Sequence, residues 1–267
     1  MLVIPYAYFG GSVYQIDYLV VGGGSAGATN VVNDYRSYEG GSAGGMITGS
    51  TFISPNTRLY TKVGGGGTTN NLLSPGNSFL TGSILGVTYN LIAYSGSCPL
   101  TDGTKGFSGA PTTHLAGDGY GLYPAAVGGG GGGAGTVGQW GGETYPDRGG
   151  TGGSGSLWLD GNYYAGGGGG GIAPFTAGNT PAGGLGGIGG GGRGGNTVYG
   201  GSPGTPNTGG GGGSAGNNNA SPPGNGGSGV VIIRYKGTQR AQGGTISYEG
   251  GYTYHKFLAT GSAYYIA

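Results

Sequence analysis

Uninterrupted glycine runs at 64–67, 128–133, 166–171, 189–192 and 209–213 limit what this chain can fold into more than any of its other features. Such a run has no side chains with which to build an amphipathic helix or the apolar face of a strand, and none that performs chemistry. It offers a backbone whose N–H and C=O groups can be approached from every side, because no Cβ intervenes. Of 267 residues, 77 are glycine and 13 proline, a share that without a collagen period usually signals low complexity or disorder. Charge argues the other way. Only 7% of residues are charged and the net charge is +1, whereas disordered chains pair low hydrophobicity with high charge. The 21 tyrosines also need somewhere to pack, so the chain reads as ordered.

Scattered single Lys and Arg residues give no electrostatic footprint for nucleic acid or an anionic membrane. No apolar stretch reaches the length of a membrane span, and the opening residues lack the basic start of a secretory signal. The expectation is a chain that stays soluble where it is made, with no nucleic-acid partner and no membrane insertion. Cys98 is the sole cysteine, which excludes an intramolecular disulfide and fits a reducing compartment. Its plainest role is that of a small, half-buried apolar residue.

The glycine region is bracketed by two β-branched runs. Ile16, Asp17, Tyr18, Leu19, Val20 and Val21 lead into Gly22, and Gly229 leads into Val230, Val231, Ile232, Ile233, Arg234 and Tyr235. Continuous runs of this kind read as strands buried on both faces. Bracketing the same region, they are expected to lie side by side and close one unit. Between them the pattern repeats every three residues: Leu185 and Ile188; Thr151, Ser154 and Leu157; Asn225, Ser228 and Val231. Three residues per turn is the polyproline II screw, which makes no internal hydrogen bonds, so a buried run must bond to its neighbours. Collagen is rejected because glycine often fills two places of three and the phase breaks. Ordering glycine costs more than each hydrogen bond returns. The apolar residues Leu185, Ile188, Leu157, Trp158, Leu159, Val127 and Val198, with the bracketing strands, are therefore expected to stabilise the slab as a rim.

Ordinary strand signals cover 47–53 and 58–63, joined by a Ser54, Pro55, Asn56 turn, and continue at 83–85 and 87–94. The C-terminal stretch, 245–248, 252–258 and 263–266, reads as a short meander. No helix start is present. The organisation expected is a docking segment at 1–15, a glycine-rich β/polyglycine-helix domain at 16–235 and a β-meander at 236–267. The fold class is all-β with a polyglycine II helix bundle: a glycine-helix sandwich bracketed by β-strands, without α-helix.

Asp17 to Gly24, then Tyr164, Ala165 and the glycines after them, then 226–235, and finally 250–257, together resemble the glycine-rich domain of bacteriophage tail-fibre and other virion proteins. There is a looser, architectural likeness to the polyglycine-helix adhesins of T-even-like phages. The resemblance implies a virion structural protein, a tail fibre or tail-tip adhesin that presents loops to a host-surface receptor. Its expected partners are other virion proteins and a bacterial surface glycan or outer-membrane protein, with homo-oligomers as fibre proteins commonly form. It would be located in the virion, after assembly in the host cytoplasm. The inserts at 30–39 and 96–126 depart from plainer members and read as recognition loops or subunit contacts. The rival readings are a capsid or tail decoration subunit with a structural role only, and an ice-binding polyglycine protein.

Catalytic signals are absent. His114 and His255 lie far apart with no cysteine or carboxylate at metal-ligand spacing, and His255 reads as structural. Glycine-motif matches carry no weight in a chain this rich in glycine, and the nine acidic residues show no pairing suited to acid–base work. No enzyme activity, cofactor or metal is expected. Recognition would rest on rings set among Ser, Asn and Gly, a mix that gives contact area at low entropic cost. The receptor-binding candidates are Tyr35, Tyr38, Tyr120, Tyr123, Trp140 and Tyr145.

Overall fold

The computed structural model describes residues 12–28, 39–69, 74–96, 120–122, 125–141, 149–173, 182–196, 198–216 and 222–267. Among these residues the fold is all-β, with open antiparallel sheets and no helix. The bracketing runs become β1 (Tyr14–Val21) and β11 (Val230–Lys236), which pair antiparallel from Asp17↔Arg234 to Val21↔Val230. They form the centre of a five-stranded sheet with β2 (Met46–Ile53), β12 (Thr245–Glu249) and β13 (Tyr252–Phe257), in the order β12-β13-β11-β1-β2. A four-stranded sheet, β14-β3-β4-β5, packs over one face of it. Its strands are β3 (Arg58–Val63), β4 (Ser78–Ile84), β5 (Val87–Ala93) and β14 (Gly261–Ile266).

Two expected pairings take a different route. The turn after β2 is a corner between sheets, so β2 and β3 do not pair: β2 lies along the whole of β1, and β3 lies between β14 and β4. The C-terminal meander ends after its first hairpin, and β14 crosses to the second sheet. Both crossings have one cause. Ile53, Leu59 and Tyr265 are each at most 1% exposed, and they meet Ile16, Val20, Leu80, Ile233 and Phe257 in a core that only two facing sheets can close. Hairpin chemistry sets the remaining turns. Leu85 and Gly86 both have positive φ, as do Gly250 and Gly251, the geometry of two-residue loops that follow the twist of their strands.

The glycine segments leave the sandwich and lie side by side outside the strands. In a pleated sheet successive N–H groups alternate between two neighbours. Here the partners rotate through three. Along 165–172, Gly166, Gly169 and Ile172 donate to the carbonyls of Gly189, Gly192 and Gly195; Gly167 and Gly170 donate to Gly153 and Gly150; Gly168 donates to Gly41. The same period recurs where Gly128, Gly131 and Ala134 donate to Gly171, Gly168 and Ala165, and where Gly22, Ser25 and Ala28 donate to Gly45, Ser42 and Glu39. These bonds run from 2.8 to 3.1 Å.

Three bonding directions allow six neighbours. Segment 165–172 is ringed by 128–134, 39–45, 209–216, 190–195, 182–188 and 149–155. Segment 209–216 in turn is ringed by 165–172, 190–195, 201–205, 224–229, 22–28 and 39–45. The result is a slab of three tiers: 182–188, 190–195 and 201–205; then 149–155, 165–172, 209–216 and 224–229; then 136–139, 128–134, 39–45, 22–28 and 64–67. Glycine is required by this approach distance. A Cβ on Gly168 would overlap the carbonyl of Gly212, and one on Gly131 would overlap that of Gly41.

The apolar rim expected from the sequence does not form. Leu185 (62%), Ile188 (63%), Val198, Leu157 and Leu159 are exposed, while Val127 and Trp158 are buried. Leu185 and Ile188 point outward because an inward side chain of that size would meet the next backbone; inward positions hold only small residues such as Ser25, Ser42 and Ser214. The apolar stabilisation sits in the sandwich, and in a second cluster where Leu19, Val21, Val230 and Ile232 on the other face of the five-stranded sheet meet Ala134, Trp158, Tyr164 and Ala165 at the near end of the slab.

Candidate functional site

The slab has two unlike ends, and chain direction defines them. β1, β3 and β5 run outward into 22–28, 64–67 and 94–96, whereas 39–45, 75–77 and 224–229 return into β2, β4 and β11. The register of the glycine bonds orients the rest: 136–139, 165–172, 190–195 and 209–216 run outward, and 128–134, 149–155, 182–188 and 201–205 return. At the proximal end, against the sandwich, connections are short. They are the bend at 134–136, a hairpin of β8 (Ser156–Leu157) and β9 (Tyr163–Tyr164), and turns at 188–190 and 205–209. The long connections, including both inserts singled out in the sequence, leave from the distal end. There Ala28 N–H bonds to the carbonyl of Glu39 at 3.0 Å, closing the neck of the 29–38 connection.

The proximal end is clamped. Arg234 Nε donates to Asp17 Oδ2 at 2.9 Å, and Nη1 donates to the carbonyl of Leu159 at 2.8 Å and to Tyr254 Oη at 3.2 Å. Its guanidinium lies 4.2 Å over the Tyr252 ring. Burial opposes the Arg234 charge, but its bonds to Tyr254 and Asp17 outweigh this and raise its pKa. Burial and the Asp160 bond together push the Tyr164 hydroxyl far above the ordinary tyrosine range. These contacts hold the β8–β9 hairpin against the five-stranded sheet.

Two of the candidate rings, Trp140 and Tyr120, fall at the distal end among the described residues. Trp140 follows segment 136–139 and is 46% exposed. Tyr120 opens β6 (Tyr120–Leu122), which pairs with β7 (Ala125–Val127), and β7 pairs with β10 (Ile172–Ala173) at the outer end of 165–172. Tyr35, Tyr38, Tyr123 and Tyr145 lie outside the described residues, on connections that leave and re-enter the slab at this same end. His114 also lies outside them.

One distal ring was missed in the sequence. Tyr199 is 72% exposed beside exposed Val198. Asn196 Oδ1 accepts from the backbone N–H of both Val198 and Tyr199, at 2.9 and 2.8 Å, and Asn196 N–H bonds to the carbonyl of Tyr199. The signal was an asparagine opening a four-residue break between Gly195 and Gly200, a side chain that mimics a backbone turn.

Among the described residues no group of three or more His, Cys, Asp or Glu could hold a metal ion, and no helix is long and apolar enough to cross a membrane. His255 is fully buried, with Nε2 3.0 Å from Tyr235 Oη and Nδ1 2.7 Å from the carbonyl of Gly243. The arrangement thus presents rings and turns from a glycine-rich slab whose other end is fixed to a β-sandwich. The chain belongs to the glycine-rich domain family, whose sequence profile matches residues 6–236. No curated protein and no solved structure matches it.

Proposed function

We propose that this protein is a virion structural protein of a bacteriophage, a tail-fibre or tail-tip adhesin that meets the host surface with the distal end of its slab. In this reading the glycine segments are polyglycine II screws, whose three-residue turn accounts for the three-residue bonding repeat. One observation carries the proposal: the connections bearing the six ring candidates all open at the same end, opposite the sandwich, with Trp140 and Tyr199 exposed there. Variation at that end leaves the bonded backbone untouched, which suits a recognition surface on a rigid scaffold. The sequence resemblance to glycine-rich domains of tail-fibre proteins supports the same reading, and the sandwich end would be joined to other virion proteins.

The test is competition for adsorption. Saturating purified protein should block phage adsorption to the host, and Trp140→Ala with Tyr199→Ala should weaken the block while leaving the melting temperature unchanged. Unimpaired adsorption at saturation would leave the rival role, a decoration subunit whose loops meet only other virion proteins.

A further inference from the structure

At the proximal end, away from the distal surface, the β8–β9 hairpin and the turns at 188–190 and 205–209 enclose an open cleft of about 410 Å³. Its walls are 162–164, Ile188, Thr205, Asn207 and Thr208 with flanking glycines; the Tyr164 hydroxyl is spent on Asp160, and no charged side chain lines the cleft. Tyr163 is 43% exposed and Ile188 is 63% exposed, so an aromatic ring and an aliphatic surface stand open beside amides and hydroxyls.

The cleft is built rigidly. Asn207 holds a left-handed φ of 62°, a conformation costly for a residue with a Cβ and one that collects at functional sites. Ser228 pins it: Ser228 Oγ accepts the Asn207 backbone N–H at 2.9 Å and donates to Asn207 Oδ1 at 3.3 Å. That pair of bonds does not consume the Asn207 side-chain NH2. Thr208 Oγ1 is spent within the turn, donating to the carbonyl of Thr205 at 2.7 Å and accepting from Gly210 N–H at 3.1 Å. The carbonyl of Thr208 accepts from Ala165 N–H at 2.7 Å, which ties the turn to the slab. Gly190 has φ 100° and lies so close to Thr208 that a Cβ there would overlap its Oγ1.

From this geometry we infer that the cleft is a binding site for a neutral saccharide. A sugar ring has one C–H face for Tyr163 and Ile188, and an edge of hydroxyls that both donate and accept, to which the Asn207 NH2 donates and the Thr205 hydroxyl does both, while the Asn162 side chain already bonds the Tyr164 hydroxyl. An anionic ligand would find no countercharge here, and an apolar one would strand the Asn207 NH2. The site stands independently of the virion reading, because it lies at the opposite end of the slab from the proposed receptor surface.

The test exposes the full chain to an immobilised panel of neutral and acidic oligosaccharides, then titrates the strongest neutral binder by calorimetry. Binding should favour neutral sugars, and Tyr163→Ala should weaken it about tenfold, the scale of one lost ring contact. Asn207→Gly, which keeps the left-handed turn and its N–H bond to Ser228 but deletes the amide and the bond to its Oδ1, should weaken it as well with at most a small drop in melting temperature. Trp140→Ala and Tyr199→Ala should leave it intact. A panel that captures no neutral sugar would overturn the assignment. So would binding that survives both Tyr163→Ala and Asn207→Gly, or that is lost with Trp140→Ala instead.

Discussion

Gly168 and Leu185 make the residue-scale rule concrete, because one sits where a side chain is forbidden and the other where it is free. A methyl on Gly168 points into the carbonyl of Gly212, and backbone held by bonds on several sides has little room to retreat. Gly168→Ala should therefore cost about 1–3 kcal/mol or more, as overpacking does, and lower the thermal midpoint measurably. Leu185→Ser, at an exposed position of the same slab, should change stability by no more than about 0.5 kcal/mol. His255 makes a second residue-scale prediction. Burial lowers its pKa, outweighing the opposing bond to the Gly243 carbonyl. The unfolded chain thus takes up the proton first, and stability present above about pH 6.5 is lost progressively as pH falls toward the folded value. Denaturant unfolding at pH 5.5 and 7.5 should show lower stability at the acidic pH. His255→Gln should flatten that difference, since the only other histidine is His114.

At the scale of elements, what joins slab to sandwich is the β8–β9 hairpin, and its fixture is Arg234. Replacing Asp17 with Asn leaves a buried guanidinium short of its carboxylate, and should destabilise by about 3 kcal/mol. Hydrogen exchange should rise first in 156–164. The pairing of β1 with β11 was legible in the sequence because both are continuous β-branched runs that border glycine. The period-three pattern was legible because large side chains such as Leu185 and Ile188 stand only at outward positions, inward ones admitting nothing bigger than Ala or Ser, as at Ala165 and Ser214. The corner after β2 and the crossing of β14 were not legible: a turn signal such as Ser54, Pro55 and Asn56 fixes a change of direction, but which sheet receives the next strand depends on core contacts remote in sequence, such as Ile53 with Tyr265. The rim was misread for a related reason. Leu185 and Ile188 look like core residues until the approach distance of the backbones is known.

For the whole molecule, the division of labour is between a β-sandwich that supplies the apolar core and a slab that supplies reach and two differentiated ends. The ring-bearing connections were visible in the sequence as aromatic breaks in glycine, but their gathering at one end depends on segment direction, which only the hydrogen-bond register reveals. The slab's interior is the central claim, and residue-resolved amide hydrogen exchange tests it most directly. Glycine amides of 165–172 and 209–216 should exchange as slowly as those of β1 and β11, since each is bonded within a ring of six neighbours. Exchange of those amides at the rate of an unstructured chain, with β1 and β11 still protected, would contradict the account.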